Sequence, residues 1–221
     1  MLMNDEEQLR QEICRVGRSL FERGYVHATA GNISARLADG FLITPSDACL
    51  GFLEPDALAK VGIDGTQQSG GRASKALVLH RSIYDADDSA ACVIHTHSTH
   101  LVALTLSGVW SNDDILPPIT PYFVMKVGHV PLIEYRRPGD PEVGKLVACA
   151  VERMRANGMP IRAVMLDRLG PNVWHESLAA AMAVLEELEE TARLWLNCAV
   201  KPAPVSEAQI DELRREFGAR W

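Results

Sequence analysis

The chain has 221 residues, 47% of them hydrophobic and 23% charged, which suits one core of ordinary size and excludes a disordered or fibrous protein. Twenty-nine acidic residues against 22 basic ones leave a formal charge of −7, and the cations form no stripe, so nucleic acid is excluded as a default partner. No apolar run approaches the ~18 residues that span a bilayer, and the opening Met1-Leu2-Met3-Asn4-Asp5 lacks the basic and apolar regions of a secretory signal, which excludes a membrane protein.

Leu9, Ile13, Val16, Leu20 and Phe21 recur at helical spacing over residues 5 to 23, and Gly24 follows as a stop signal. Short apolar runs at 29 to 34, 41 to 46 and 59 to 63 are split by turn residues, which predicts strands joined by tight turns. Helical periodicity resumes over 75 to 87, residues 91 to 97 predict a strand, and 99 to 106 a short helix. Residues 130 to 135 then read as strand, 141 to 157 as helix, and 163 to 167 with 172 to 174 as a hairpin turning at Arg168-Leu169-Gly170-Pro171. A long helix is expected over 176 to 200, and Ser206-x-x-Gln209 is a capping-box start for a last one. Without repeats or a convincing linker, residues 1 to 221 are expected to form a single domain. Cys14, Cys49, Cys92, Cys149 and Cys198 are odd in number and never spaced C-x-x-C, so they read as reduced thiols of a cytoplasmic protein.

The chemistry concentrates in Val93-Ile94-His95-Thr96-His97-Ser98-Thr99-His100. Side chains at i and i+2 of a strand share a face, so His95 and His97 are placed to chelate a divalent metal through neutral ring nitrogens. His100 lies past the strand end and reads as a packing or supporting residue. The loop ending in Ser74-Lys75 enters a helix, so Ser74 is a candidate cap, while exposed amides and Lys75 are candidates to hold an anion at the positive end of the dipole.

In order along the chain, Gly31-Asn32-Ile33-Ser34, Ile43-Thr44-Pro45-Ser46, Ser74-Lys75, His80-x-x-x-Tyr84, His95-x-His97-x-x-His100, Ile119-Thr120-Pro121-Tyr122, Gly170-Pro171 and the acidic run 186 to 190 resemble the class II aldolase/adducin family. Within it, Ile119-Thr120-Pro121-Tyr122 and the run through Ala192 most resemble members that decarboxylate 3-oxo-tetronate 4-phosphates, relatives of the fuculose-phosphate aldolases. The resemblance implies a three-layer α/β/α domain around a largely antiparallel sheet, usually a homotetramer, with zinc, manganese or cobalt near subunit interfaces. It implies His95 and His97 as metal ligands, Asn32, Ser46, Ser74 and Lys75 as the holders of a substrate phosphate, and Tyr122 as a proton donor reaching in from a neighbouring subunit. The implied substrate is a small sugar or sugar acid, cleaved through an enediolate.

Three positions depart from that pattern. Ala76 stands where the family carries its acid/base glutamate, Leu169 where a third metal histidine is usual, and Asp47 follows Thr-Pro-Ser where a neutral residue is common. An alanine moves no proton, a leucine donates no lone pair, and an inward carboxylate opposes a phosphate. Asp167, two residues before Leu169, is a candidate third ligand on strand alternation; His175 suits a helix-capping or surface role; His129 precedes a strand and has no assigned role. Lys75 is a second candidate for proton transfer. Two readings therefore stand side by side: a metal-assisted carbon–carbon lyase with altered acid/base machinery, and a silent adducin-like homologue acting as a binding or scaffold protein.

Overall fold

A computed structural model describes residues 5–221, so the reading of Met1 to Asn4 lies outside the described residues. The chain runs α1 (Asp5–Glu22), β1 (Asn32–Leu37), β2 (Gly40–Ile43), β3 (Ala59–Gly62), β4 (Gln67–Ser69), α2 (Leu77–Ala86), β5 (Cys92–His95) and α3 (Thr99–Ser107). It continues through β6 (Leu132–Ile133), α4 (Glu142–Ala156), β7 (Ala163–Leu166), β8 (Gly170–His175), α5 (Leu178–Asn197) and α6 (Glu207–Phe217). The strands form one sheet in the order β4-β3-β2-β1-β5-β8-β7-β6, antiparallel throughout except for the parallel pair β6–β7.

Strand alternation sorts the core into two layers. Ile33, Ala35, Leu42, Cys92, Ile94, Val173 and Met165 face α1, α3 and α5, burying Ile13, Leu20, Leu101, Leu104, Leu185 and Leu188 with them. The opposite face sets Phe41, Ile43, Val93, Val164 and Trp174 against Tyr84 of α2 and Val147 and Met154 of α4. Each fully buried Leu, Ile or Val contributes about 1.5–3 kcal/mol, so the two cores, not local propensity, hold the sheet in register. The expected three-layer α/β/α architecture with a largely antiparallel sheet is what forms.

Element boundaries shift where the local signal was ambiguous. The strand expected over 130 to 135 shrinks to Leu132–Ile133 at the sheet edge, and the strand expected over 91 to 97 leaves the ladder after His95. The long helix starts later than expected, at Leu178, because Ser177 Oγ accepts the Ala180 N–H at 3.2 Å and so caps it. The expected capping box at Ser206 and Gln209 is formed, with both reciprocal bonds present. Strand β4 has no apolar alternation in Gln67-Gln68-Ser69 and so gave no signal. Residues 123 to 127 form a π-type turn that no periodicity announced.

Candidate active site

A cavity of about 700 Å³ opens at one end of the sheet, on the α2/α4 face. The register places Asn32 of β1 opposite His95 of β5, and His95 opposite Asn172 of β8. Directly opposed residues point to the same face, so three neighbouring strands present a row of amide, imidazole and amide to the cavity floor. His97, two residues on, lines the same cavity, with its ring centroid 5.1 Å from that of His95. The pair expected from the i, i+2 spacing therefore converges, although His97 lies past the end of β5.

The His95 ring is buried and its Nδ1 lies 2.9 Å from the Pro171 carbonyl oxygen. A carbonyl only accepts, so Nδ1 carries the proton and Nε2 keeps its lone pair. Burial, and then the neighbouring His97, push the His95 ring down to about 4, while burial and then His27 lower that of His97. Both are neutral donors at physiological pH. His27, 6.4 Å from His97 between ring centroids, lies next to this pair through a loop contact that sequence spacing does not reveal.

Behind the row, Ser34 Oγ lies 2.7 Å from both His80 Nδ1 and Tyr84 Oη, joining β1 to α2 inside the protein. Complete burial, with His95 close by, pushes the His80 ring down to about 3. Four polar atoms here find no hydrogen-bond partner among the described residues: Asn32 Oδ1, His80 Nε2, and Asn172 Nδ2 and Oδ1. Unmatched buried polar groups are costly, about 1–3 kcal/mol each, and their gathering beneath one cavity marks a floor built for a polar occupant. Asn172 was not singled out in the sequence, since only the β5–β8 register brings it beside His95.

The second wall comes from two loops pinned together by the Pro45–Ala73 bridge and by Ser46 Oγ donating to the Ala73 carbonyl at 3.0 Å. They bring Ser46, Asp47, Arg72, Ser74 and Lys75 into the lining at the start of α2, together with Ala76. Ser74 does not cap α2 as expected: its Oγ accepts the Ala76 N–H at 3.3 Å in a local turn, and Ala76 occupies the cap position with no side-chain bond. Asp47 takes a positive φ of 60° and turns its carboxylate to Arg72, 2.8 Å away, so its charge is matched by an arginine instead of opposing a bound anion. The third wall is the loop after β6, with Glu134, Arg136, Arg137 and Asp140, none of which the sequence reading selected although the Arg136-Arg137 doublet before Pro138-Gly139 was visible.

The remaining candidates separate cleanly. Tyr122 is 61% exposed and does not line this cavity, so within its own subunit it is neither a buried structural aromatic nor in reach of the floor. His100 pairs with Glu189, whose carboxylate also accepts the His100 and Leu101 N–H groups and so caps α3 from α5. His129 is bound to Asp114 and stacked on Trp221, and His175 Nδ1 accepts the Glu176 N–H at 2.9 Å. Asp167 lines the cavity, but Arg168 takes a positive φ of 61° and the chain turns there, which breaks the alternation that would have aligned 167 with 169.

The whole chain, compared with known proteins, settles its ancestry. The family model of the Class II Aldolase and Adducin N-terminal domain matches residues 11–196. The chain belongs to this family. A 3-oxo-tetronate 4-phosphate decarboxylase of Cupriavidus necator is 55% identical over 224 residues, covering 99% of this chain and 100% of the relative. Another of that name from Escherichia coli K12 is 39% identical over 211 residues, covering 95% and 96%. The crystal structure of YgbL from Escherichia coli superposes with a TM-score of 0.84 at 37% identity, over 96% of this chain and all of that one. An L-fuculose 1-phosphate aldolase structure shares the fold, with a TM-score of 0.81 at 22% identity over 98% of each chain. Relatives named as decarboxylases at this identity and coverage place the chain among the carbon–carbon lyases of this family.

The family is divalent-metal dependent, and the side chains here meet that requirement only in part. His95 offers a free Nε2, and His97 a second neutral ring. Leu169 lines the cavity where a third nitrogen would close the site, and among the described residues no group of three or more His, Cys, Asp or Glu is placed to hold an ion. Two imidazoles do not fit a closed site with three protein ligands. They fit a weakly held ion whose other positions go to water or substrate. No helix among the described residues is long and apolar enough to cross a membrane.

Proposed function

We propose that this protein decarboxylates a small phosphorylated 3-oxo sugar acid of the 3-oxo-tetronate 4-phosphate type. Asn32, Ser46, Ser74 and Lys75 would hold the phosphate at the start of α2, where backbone amides and the Lys75 ammonium favour a dianion. The neutral rings of His95 and His97 and the Asn172 amide would meet the carbonyl and hydroxyl at the middle of the substrate. A divalent ion on His95 and His97, zinc or else manganese or cobalt, would when bound draw electrons from the carbonyl.

Ala76 is the observation that carries the choice of decarboxylation over aldol cleavage. Retro-aldol cleavage begins by removing a hydroxyl proton and needs a base. Loss of CO2 from a 3-oxo acid needs none: the carboxylate is already ionised, the C1–C2 bond breaks, and its electron pair passes through C2 to the C3 oxygen as an enolate. A proton then reaches C2, leaving a three-carbon hydroxyketone phosphate. Each cavity carboxylate is already engaged: Asp47 and Glu134 sit against arginines, Asp140 accepts the Glu142 N–H, and Asp167 lies 3.9 Å from Arg168. Lys75 remains the candidate to stabilise the enolate or to supply the proton that C2 takes up, drawing its replacement from solvent. Tyr122 in a homotetramer would donate from the neighbouring subunit, which accounts for a tyrosine left exposed on its own. Reduced cysteines suit a cytoplasmic enzyme.

The test is release of CO2 from a 3-oxo-tetronate 4-phosphate by the purified protein, with zinc, manganese or cobalt supplied, beside a ketose-phosphate aldol substrate. CO2 release without aldol cleavage supports the proposal. Aldol cleavage without CO2 release, or no turnover of either, overturns it, and the second outcome leaves the adducin-like scaffold.

A further inference from the structure

A substrate of the proposed kind carries a phosphate at one end and a carboxylate at the other, and the cavity has cations on two separate walls. Lys75 stands on the α2 wall and has no carboxylate partner among the described residues. Arg136 and Arg137 stand on the loop after β6, which the strand order sets on the far side of the β1-β5-β8 centre. The two arginines are not equivalent. Arg136 is engaged by the Glu134 carboxylate and by the Tyr135 carbonyl at 3.4 Å. Arg137 is held loosely: its Nε is 4.0 Å from Asp140, and its side chain is 71% exposed. Asp140 has a second duty, accepting the Glu142 N–H at 3.0 Å ahead of α4, so Arg137 can leave it without stranding a buried charge.

We propose that Arg137 binds the substrate carboxylate, making it the residue that selects a phosphorylated acid over a phosphorylated sugar. This rests on the function proposed above. A guanidinium matches a carboxylate through two parallel N–H donors, a geometry that an ammonium does not offer. With the Lys75 loop bridged to the segment after β2 and Arg137 on the loop after β6, strands β1, β5 and β8 lie between them, which gives the site two anion-binding ends with the imidazole pair between. The carboxylate is held at its oxygens while the bond to be broken lies over the floor.

Calorimetric binding of two stable ligands separates the outcomes. One is a four-carbon hydroxy acid bearing a terminal phosphate, which has no 3-oxo group and so persists; the other is glycerol 3-phosphate, which lacks the carboxylate. The wild-type protein should prefer the acid, and Arg137→Gln should weaken the acid about tenfold while leaving glycerol 3-phosphate unchanged, because a charge-assisted hydrogen bond contributes on the order of a tenfold affinity. Arg137→Lys should recover part of the loss, and Lys75→Gln should weaken both ligands. An unchanged affinity of Arg137→Gln for the acid, or an equal loss for both ligands, overturns the assignment of Arg137 alone. If the wild-type protein binds neither ligand, the phosphorylated-acid reading itself falls.

Discussion

His95 donates its Nδ1–H to the Pro171 carbonyl at 2.9 Å, so strand β8 fixes the tautomer of a ring carried by β5 and leaves Nε2 as the lone pair available in the cavity. With His97 as the second nitrogen and Leu169 in the third position, divalent ions should bind weakly and be stripped by chelator. Equilibrium dialysis with zinc should show affinity lost in His95→Ala and raised by at least about tenfold in Leu169→His, where a third nitrogen enters. Tight stoichiometric zinc in the wild-type protein that survives chelator would contradict this reading.

Acid should destabilise the metal-free protein through the two buried rings. His80 is pushed down to about 3 and His95 to about 4, both from an ordinary value of 6.5. With the folded-state values lowered, stability is fully present above pH 6.5 and is lost as pH falls through 4 for His95 and on to 3 for His80, where the unfolded chain binds protons that the folded rings refuse. The slope should reach at most about 1.4 kcal/mol per pH unit for each ring. Denaturant melts across this window should lose about half of the combined slope in His80→Gln, the rest staying with His95, relative to its own stability at pH 8.

Gly170→Ala should be strongly destabilising. A Cβ there would lie 1.9 Å from the Thr96 carbonyl oxygen, and the residue takes a φ of +143°. Strain and overpacking together should cost about 2–4 kcal/mol, lowering Tm by roughly 5–15 °C for a chain of this length. An unchanged melting temperature would mean that the β7–β8 turn does not press on the Thr96–His97 segment that follows β5.

Lys75→Ala should leave folding intact, because the side chain is exposed, while weakening a phosphorylated ligand. A charge-assisted contact of this kind corresponds to about a tenfold rise in KM, diminishing as salt is raised. A KM unchanged at low ionic strength would remove Lys75 from the phosphate site.

Ser34→Ala removes the hydroxyl shared by His80 and Tyr84 and should cost about 1–3 kcal/mol in a urea melt, because both partners stay buried. A larger effect on ligand affinity than on stability would show that this buried chain sets the position of the floor.

The sequence by itself determined the order of the elements apart from β4 and the π-type turn at 123 to 127, the pairing of His95 with His97, the family and the three departures at Asp47, Ala76 and Leu169, because these reside in short-range spacing and in ordered motifs. Helix periods of 3.6 residues and an i, i+2 pair on a strand are local geometry. Tertiary structure alone decided which residues meet across strands and loops. Register placed Asn172 beside His95, the loop after β6 brought Arg136 and Arg137 to the cavity, and a carboxylate that looked repulsive at Asp47 found Arg72. Such contacts join positions tens of residues apart, and they form only once burial of the two apolar faces has fixed the sheet.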